Sequence, residues 1–389
     1  MSSKHKRRIL NLPLKLVLTQ EGSEFFIKQN RKLMKLKLAE HVEDYGIALD
    51  AFAPKTVQGL LLSGYVSLIE VSPPEFASSR QEIIDLSKLI VHSILYRQYD
   101  CYVFRQILNS EVIKKWNRSN PGSSIDEHAN LNAPFIYNHL KQHEAHVTQI
   151  KHHILRLLHA SLAACEERTP KEKNTLLFLG EKFLDTLRPF TWFIISKFQH
   201  APDMGSVLSS IHTSLAQYLN KARIAEYIAL VLVELLINEE NTNLKKEVQK
   251  LFPDLEDAQE ALCDEGIRRR IVAELKHNAE SLFISWKLQG RSVSTAGTRR
   301  KLKITVYGRN DYPQEMRNCL QDAKVVNADT DTLVDYCQQT IDTAKHANLG
   351  VYYISYLSEA CKEANVRFES SLNRFTRSEF TTVDLSFEF

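Results

Sequence analysis

Four short segments near the C-terminus alternate apolar and polar residues, and this pattern constrains the chain more than any other feature. In 281–289, Leu282, Ile284, Trp286 and Leu288 share a face; in 301–307, Leu302, Ile304 and Val306 do. Val366 and Phe368 mark a third segment, and Val383, Leu385, Phe387 and Phe389 a fourth. The intervening positions hold mostly Lys, Ser, Thr, Arg or Glu. Successive strand side chains point to opposite faces, so the alternation predicts a sheet buried mainly on one side. Helices expected at 332–346 and 351–364 would cover that side, the latter turning Val351, Ile354, Leu357 and Cys361 inward.

The first half reads differently. Only 12 glycines and 11 prolines punctuate 389 residues, which favours helices. Apolar spacings of three and four predict helices over 23–38, 79–96, 103–115, 133–165 and 171–198. One short strand is expected at 64–71, stopped by Ser72-Pro73-Pro74. After a break at 200–203, helices are expected at 206–219, 221–237 and 256–277. The expected fold class is therefore α+β, with a mostly helical region 1–200 followed by an α/β sandwich over 201–389.

Composition narrows the function classes. No run approaches the ~18 apolar residues of a membrane span. The N-terminus is basic but lacks a cleavage pattern, so no signal peptide is read. The 6 cysteines form no Cys-x-x-Cys pair, which argues against a zinc ribbon or a thiol redox site. A reducing cytoplasm is the expected setting. The net charge of +3 implies no nucleic acid by itself. However, 10 Lys/Arg lie between Lys4 and Lys37, against Glu21, Glu24 and Glu40. Such an arm could condense on phosphates, or be a solvated terminus and helix face.

The segment 225–238 is a strongly apolar helix that ends in a carboxylate and an amide, Glu234 and Asn238, about one turn apart and on one face. That pair suits a nucleotide site: the amide oxygen can ligate Mg²⁺ and the carboxylate can orient a nucleophile. The ordinary alternative is the solvent stripe of an amphipathic helix. In order and pattern, 221–389 resembles the GHKL superfamily, the histidine-kinase-type (Bergerat) ATPase fold. There, such a helix is followed by two strands, a glycine box, a lid, a second glycine box opening a helix, and two closing strands. Gly308-Arg-Asn-Asp-Tyr-Pro313 stands at the first box and Asn348-Leu-Gly-Val at the second; Thr381-Thr-Val-Asp-Leu-Ser-Phe-Glu-Phe389 is similar to the closing strand.

The resemblance implies that Asn238 holds Mg²⁺ and Glu234 positions a nucleophile. It also implies that Asn348 and Gly350 face phosphates, and that Asn310, Asp311 and Thr382 lie at or near the base. The boxes are eroded. Gly308 stands where the family has the Asp that bonds the adenine amino group, and Asn310, Tyr312 and Asn348 replace glycines. The expectation is a bacterial regulatory protein whose kinase-like part serves as a docking or nucleotide-sensing module, with ATP and Mg²⁺ its only expected cofactors. The first alternative is an active ATPase or kinase with an unusual base pocket. The second is a nucleic-acid-associated protein using the basic arm. Expected partners are an unidentified protein or a second copy of the chain, with no membrane. Separately, His139, His143 and His146 fall on one face of a continuous helix, where neutral imidazoles could bind a divalent metal or form a polar flank.

Overall fold

The structure, a computed structural model, describes residues 9–39, 42–73, 75–126, 133–166, 168–253, 262, 264–277, 282–289, 300–308, 349–374 and 381–389. The chain forms two compact units. One takes its residues from Met1–Ser93, Arg223–Ser292 and Gly297–Phe389; the other is built on Ile94–Ala222. The boundary expected at 200/201 therefore does not divide the molecule.

The first unit is built on one sheet of eight strands: β1 (Leu14–Leu18), β2 (Met34–Lys37), β3 (Glu43–Leu49), β4 (Val66–Val71), β5 (Phe283–Gln289), β6 (Lys301–Gly308), β7 (Arg367–Arg374) and β8 (Thr381–Glu388). The order is β2-β3-β1-β4-β5-β6-β8-β7, and every neighbouring pair is antiparallel. The fold is mixed α and β, as expected. The N-terminal region, however, supplies half of the sheet. Its seam lies between β4 and β5, with Ile69 opposite Trp286 and Val71 opposite Ile284, all four fully buried.

The helix expected over 23–38 is replaced by two elements. α1 (Gln20–Lys28) is capped by Thr19, whose side chain accepts from Gly22 N, and Asn30 turns the chain with φ 57°. β2 follows. Only Leu36 of β2 is buried, so an edge strand carries too little alternation to announce itself. Two basic residues of the N-terminal region belong to folded structure: Lys15 Nζ bonds Glu70 at 2.9 Å, and Lys35 pairs with Glu43; Lys4, Lys6, Arg7 and Arg8 lie outside the described residues.

Besides α1, the described helices of this unit are α2 (Pro54–Ser63), the start of α3 (Arg80–Leu108), α10 (Ile224–Leu251), α11 (Glu265–His277) and α12 (Leu349–Glu363). α10 touches β6, α11 and α12, and α12 also touches β7. Leu302, Ile304, Val306, Val383, Leu385 and Phe387 are all buried on one face of the sheet. The opposite face is polar. There buried Asp384 accepts from Thr305 Oγ1 and Asn373 Nδ2, each at 2.7 Å, and pairs with Lys303 at 3.0 Å. Asp384→Ala strands three donors, and is expected to lower unfolding stability by about 2 kcal/mol, read as a lower denaturant midpoint at unchanged slope.

The second unit is helical. It contains the rest of α3, α4 (Glu111–Ser119), α5 (Ala133–Gln142), α6 (Glu144–Ala163), α7 (Pro170–Thr186), α8 (Pro189–Lys197) and α9 (Met204–Ala222). The single helix expected at 171–198 is broken before Pro189, which opens α8 because proline cannot supply an interior N–H. Thr169 and Glu172 form a capping box on α7. Around α8, Trp192, Phe193, Ile194 and Ile195 are buried. Tyr96 and Tyr218 stack with ring centroids 5.0 Å apart and share a hydroxyl bond of 3.0 Å.

Candidate functional site

α10 carries the candidate chemistry. Its first half, Ile224–Leu236, supplies core residues such as Ile228, Leu232 and Leu235, which hold the helix against the sheet and α12. Its polar groups then arrive together. Glu234 and Asn238 are both half-buried. Burial raises the proton affinity of the Glu234 carboxyl, and the charge of Arg80, the first residue of α3, opposes that shift. The Asn238 carbonyl accepts from Thr242 Oγ1 at 3.0 Å.

Glu239 and Glu240 follow, both buried. Glu240 is held by Arg268 of α11 at 2.9 Å, and burial raises its proton affinity against that pairing. Glu239 points elsewhere. A Cβ placed on Gly308, the last residue of β6, would lie 1.7 Å from Glu239 Oε2 and 2.1 Å from its Cδ. The carboxylate thus occupies the space in which any side chain at 308 would begin. Gly308 is required here by close approach, not by a left-handed backbone.

This contact also fixes which face of the sheet α10 covers. Gly308 stands opposite Thr381 in the β6–β8 register, so Thr381 shares the α10 face. Thr382 stands opposite Tyr307 and projects from the other face. Thr381, not Thr382, therefore shares the sheet face that carries Gly308. The Thr382 hydroxyl is fully buried and has no partner among the described residues. Gly350 is the second residue of α12, the helix that packs on α10. Asn310, Asp311 and Asn348 lie outside the described residues, as does the helix expected at 332–346.

The histidine cluster is not assembled. The expected continuous helix breaks at His143, between α5 and α6. The rings of His139 and His143 stack at 4.1 Å, and His143 Nδ1 lies 2.9 Å from the His139 carbonyl. His139 Nε2 lies 2.9 Å from Ser196 Oγ. The buried Nε2 of His146 has no partner among the described residues. Among those residues no three His, Cys, Asp or Glu side chains are grouped to hold an ion, and no helix is long and apolar enough to cross a membrane.

Residues 5–389 match the profile of a family of unknown function, DUF8084. The chain belongs to that family. No solved structure matches it. In this DUF8084 chain, sequence reasoning missed Glu239, Thr381 and Arg80. The one signal for Glu239 was its place in an acidic doublet directly after Asn238. Nothing local marks Arg80, which reaches α10 through tertiary structure alone.

The Glu239–Gly308 contact is testable without a ligand. Gly308→Ala is expected to cost about 1–3 kcal/mol, because the added methyl must displace a buried carboxylate. Glu239→Ala combined with Gly308→Ala should recover most of that loss. A double-mutant cycle of chemical unfolding measures the coupling, and additive effects would rule the contact out.

Proposed function

We propose that this protein is a regulatory or signalling protein whose C-terminal, histidine-kinase-like part is a nucleotide-sensing or protein-interaction module. The observation that carries the reading is the arrangement α10, α11, β5–β6, α12, β7–β8, with α10 and α12 packed together and the last residue of β6 lying beneath Glu239. Apart from α11, an insertion between α10 and β5, that is the order the GHKL resemblance implies. Hard oxygen donors suit Mg²⁺, and α10 presents an amide, Asn238, flanked by the carboxylates of Glu234 and Glu239. In this reading Asn238 would hold the metal, and Gly350 at the start of α12 would let the backbone approach phosphates. The bound nucleotide supplies phosphate charge and, if turned over, the transferable phosphoryl group.

A second reading, turnover, is favoured by one observation. Glu234 is half-buried with a raised proton affinity, which makes its carboxylate a stronger proton acceptor. Under this reading Glu234→Ala abolishes hydrolysis and leaves binding in place. Under the sensing reading the variant behaves as wild type in both.

Calorimetric titration with Mg-ATP tests the proposal. Micromolar binding by the wild type, weakened at least about tenfold in Asn238→Ala, is the expected result. Absence of binding up to millimolar Mg-ATP would leave a protein-interaction scaffold, with an unidentified protein or a second copy of the chain as partner.

A further inference from the structure

We propose that the outer edge of β7 pairs with β7 of a second copy of this chain, joining the two sheets antiparallel about a twofold axis at Ser370. The surface is a sheet edge, not the face under α10, so the proposal does not depend on the nucleotide reading. The two edges of the sheet differ. β2, at one end of the strand order, has four residues, two of them lysines. Short edges that carry lysine resist the addition of a further strand. β7, at the other end, has eight residues, with no proline and no lysine. It pairs with β8 in unbroken register from Arg367–Glu388 to Arg374–Thr381, and no strand among the described residues lies on its far side. Such an edge presents a row of N–H and C=O groups to a partner strand. Phe368 stacks on Phe387 with ring centroids 5.0 Å apart. Phe387, with strands on both sides, is 1% exposed; Phe368, with a strand on one side, is only half-buried.

The order of residues in β7 favours a second copy as the occupant. Side chains alternate along a strand, and residues opposite each other in an antiparallel pair share a face. Both faces of the sheet therefore continue into the second copy only when even positions meet even and odd meet odd. Centred on Ser370, the pairing sets Phe368 opposite Leu372 on one face, with Arg367 opposite Asn373 and Glu369 opposite Ser371 on the other. Apolar positions meet, and no like charges do. Centred on Glu369, the pairing would set that carboxylate against itself, which is destabilising. Centred on Ser371, it would set Phe368 against Arg374. One strand thus supplies both halves of the contact, the self-complementarity that a twofold interface requires.

The experiment sizes the full-length protein by light scattering across the micromolar range, with thermal melts to check that each variant folds. Wild type is expected to reach twice the monomer mass at the upper end of that range. Glu369 and Ser371 are both exposed, so substitutions there leave the core intact. Ser371→Lys makes two carboxylate–ammonium contacts across the axis, and should lower the dimer dissociation constant at least about threefold. When Glu369→Lys is already present, the same Ser371→Lys change sets lysine against lysine twice, and should raise the constant at least about threefold. That reversal of sign belongs to this register alone, and a double-mutant cycle measures it. Wild type that stays at monomer mass throughout overturns the proposal. A dimer that Ser371→Lys shifts in the same direction in both backgrounds, or does not shift, also overturns it, because the copies then meet elsewhere. If the double variant does not fold, the wild-type mass and Ser371→Lys decide.

Discussion

A fragment beginning at residue 201 is expected to show no cooperative unfolding transition, although it contains all four of the C-terminal strands. The reason is the seam between β4 and β5. Four consecutive pairs, Leu68–Lys287 to Val71–Ile284, join the N-terminal strands to the C-terminal ones. Trp286 and Ile284 are 0% exposed at that seam. Removing β1–β4 turns β5 into a bare edge with its N–H and C=O groups unpaired. It also exposes core that the N-terminal strands help to close. Losing the burial of one large side chain costs about 3–5 kcal/mol, a large part of the 5–15 kcal/mol that holds a domain together. The measurement is a circular-dichroism melt of the fragment beside the full chain. A sharp transition in the fragment near that of the whole protein would sink the description of one eight-stranded sheet.

The second large effect is expected in the helical unit. Asp100 on α3 accepts from the backbone N of Arg188 at 2.9 Å and from its Nε at 2.8 Å, with Nη2 also in contact. Arg188 is the residue before α8, and its guanidinium lies 4.1 Å from the Phe104 ring centroid. One carboxylate thus anchors the backbone at the start of the central helix and neutralises a largely covered charge: side-chain exposure is 14% for Asp100 and 28% for Arg188. Asp100→Ala leaves that charge without its partner, and a loss of about 3 kcal/mol is expected. Replacing both residues by apolar ones should cost less than Asp100→Ala alone, because no uncompensated charge remains. Chemical unfolding of the single and double variants measures both. A single variant within about 0.5 kcal/mol of wild type would show that the pair contributes little.

The residues show which parts of this fold could be read in advance. β5, β6 and β8 were legible because each buries one face, and burial writes period-two alternation into the sequence. β4 was legible for the same reason, since 64–71 alternates and stops at two prolines. β1 and β2 were not. β1, Leu14–Leu18, is too short for alternation to show within its mostly apolar run, and β2 is a four-residue edge with one buried side chain. Breaks inside long apolar patterns were also hidden. The ends of α5 at Gln142 and of α7 at Thr186 interrupt stripes that continue on the far side.

The candidate site divides along the same line. Glu234 and Asn238 could be paired from sequence, because one turn of helix sets their spacing whatever surrounds them. The roles of Gly308, Glu239 and Thr381 could not, because they depend on strand register. A shift of one residue moves a side chain to the opposite face of a sheet, and it is the pairing of Gly308 with Thr381 that excludes Thr382 from the α10 side. By itself, then, the sequence determined the α+β class, most of the helices and the one-turn spacing of Glu234 and Asn238, all of which follow from local periodicity; it did not show that α10 runs on to Leu251. Only the tertiary structure decided that residues 14–71 complete the same sheet, and that a helix carboxylate fills the space above a strand glycine. Both are contacts between segments far apart in the chain, and no local pattern encodes such a contact.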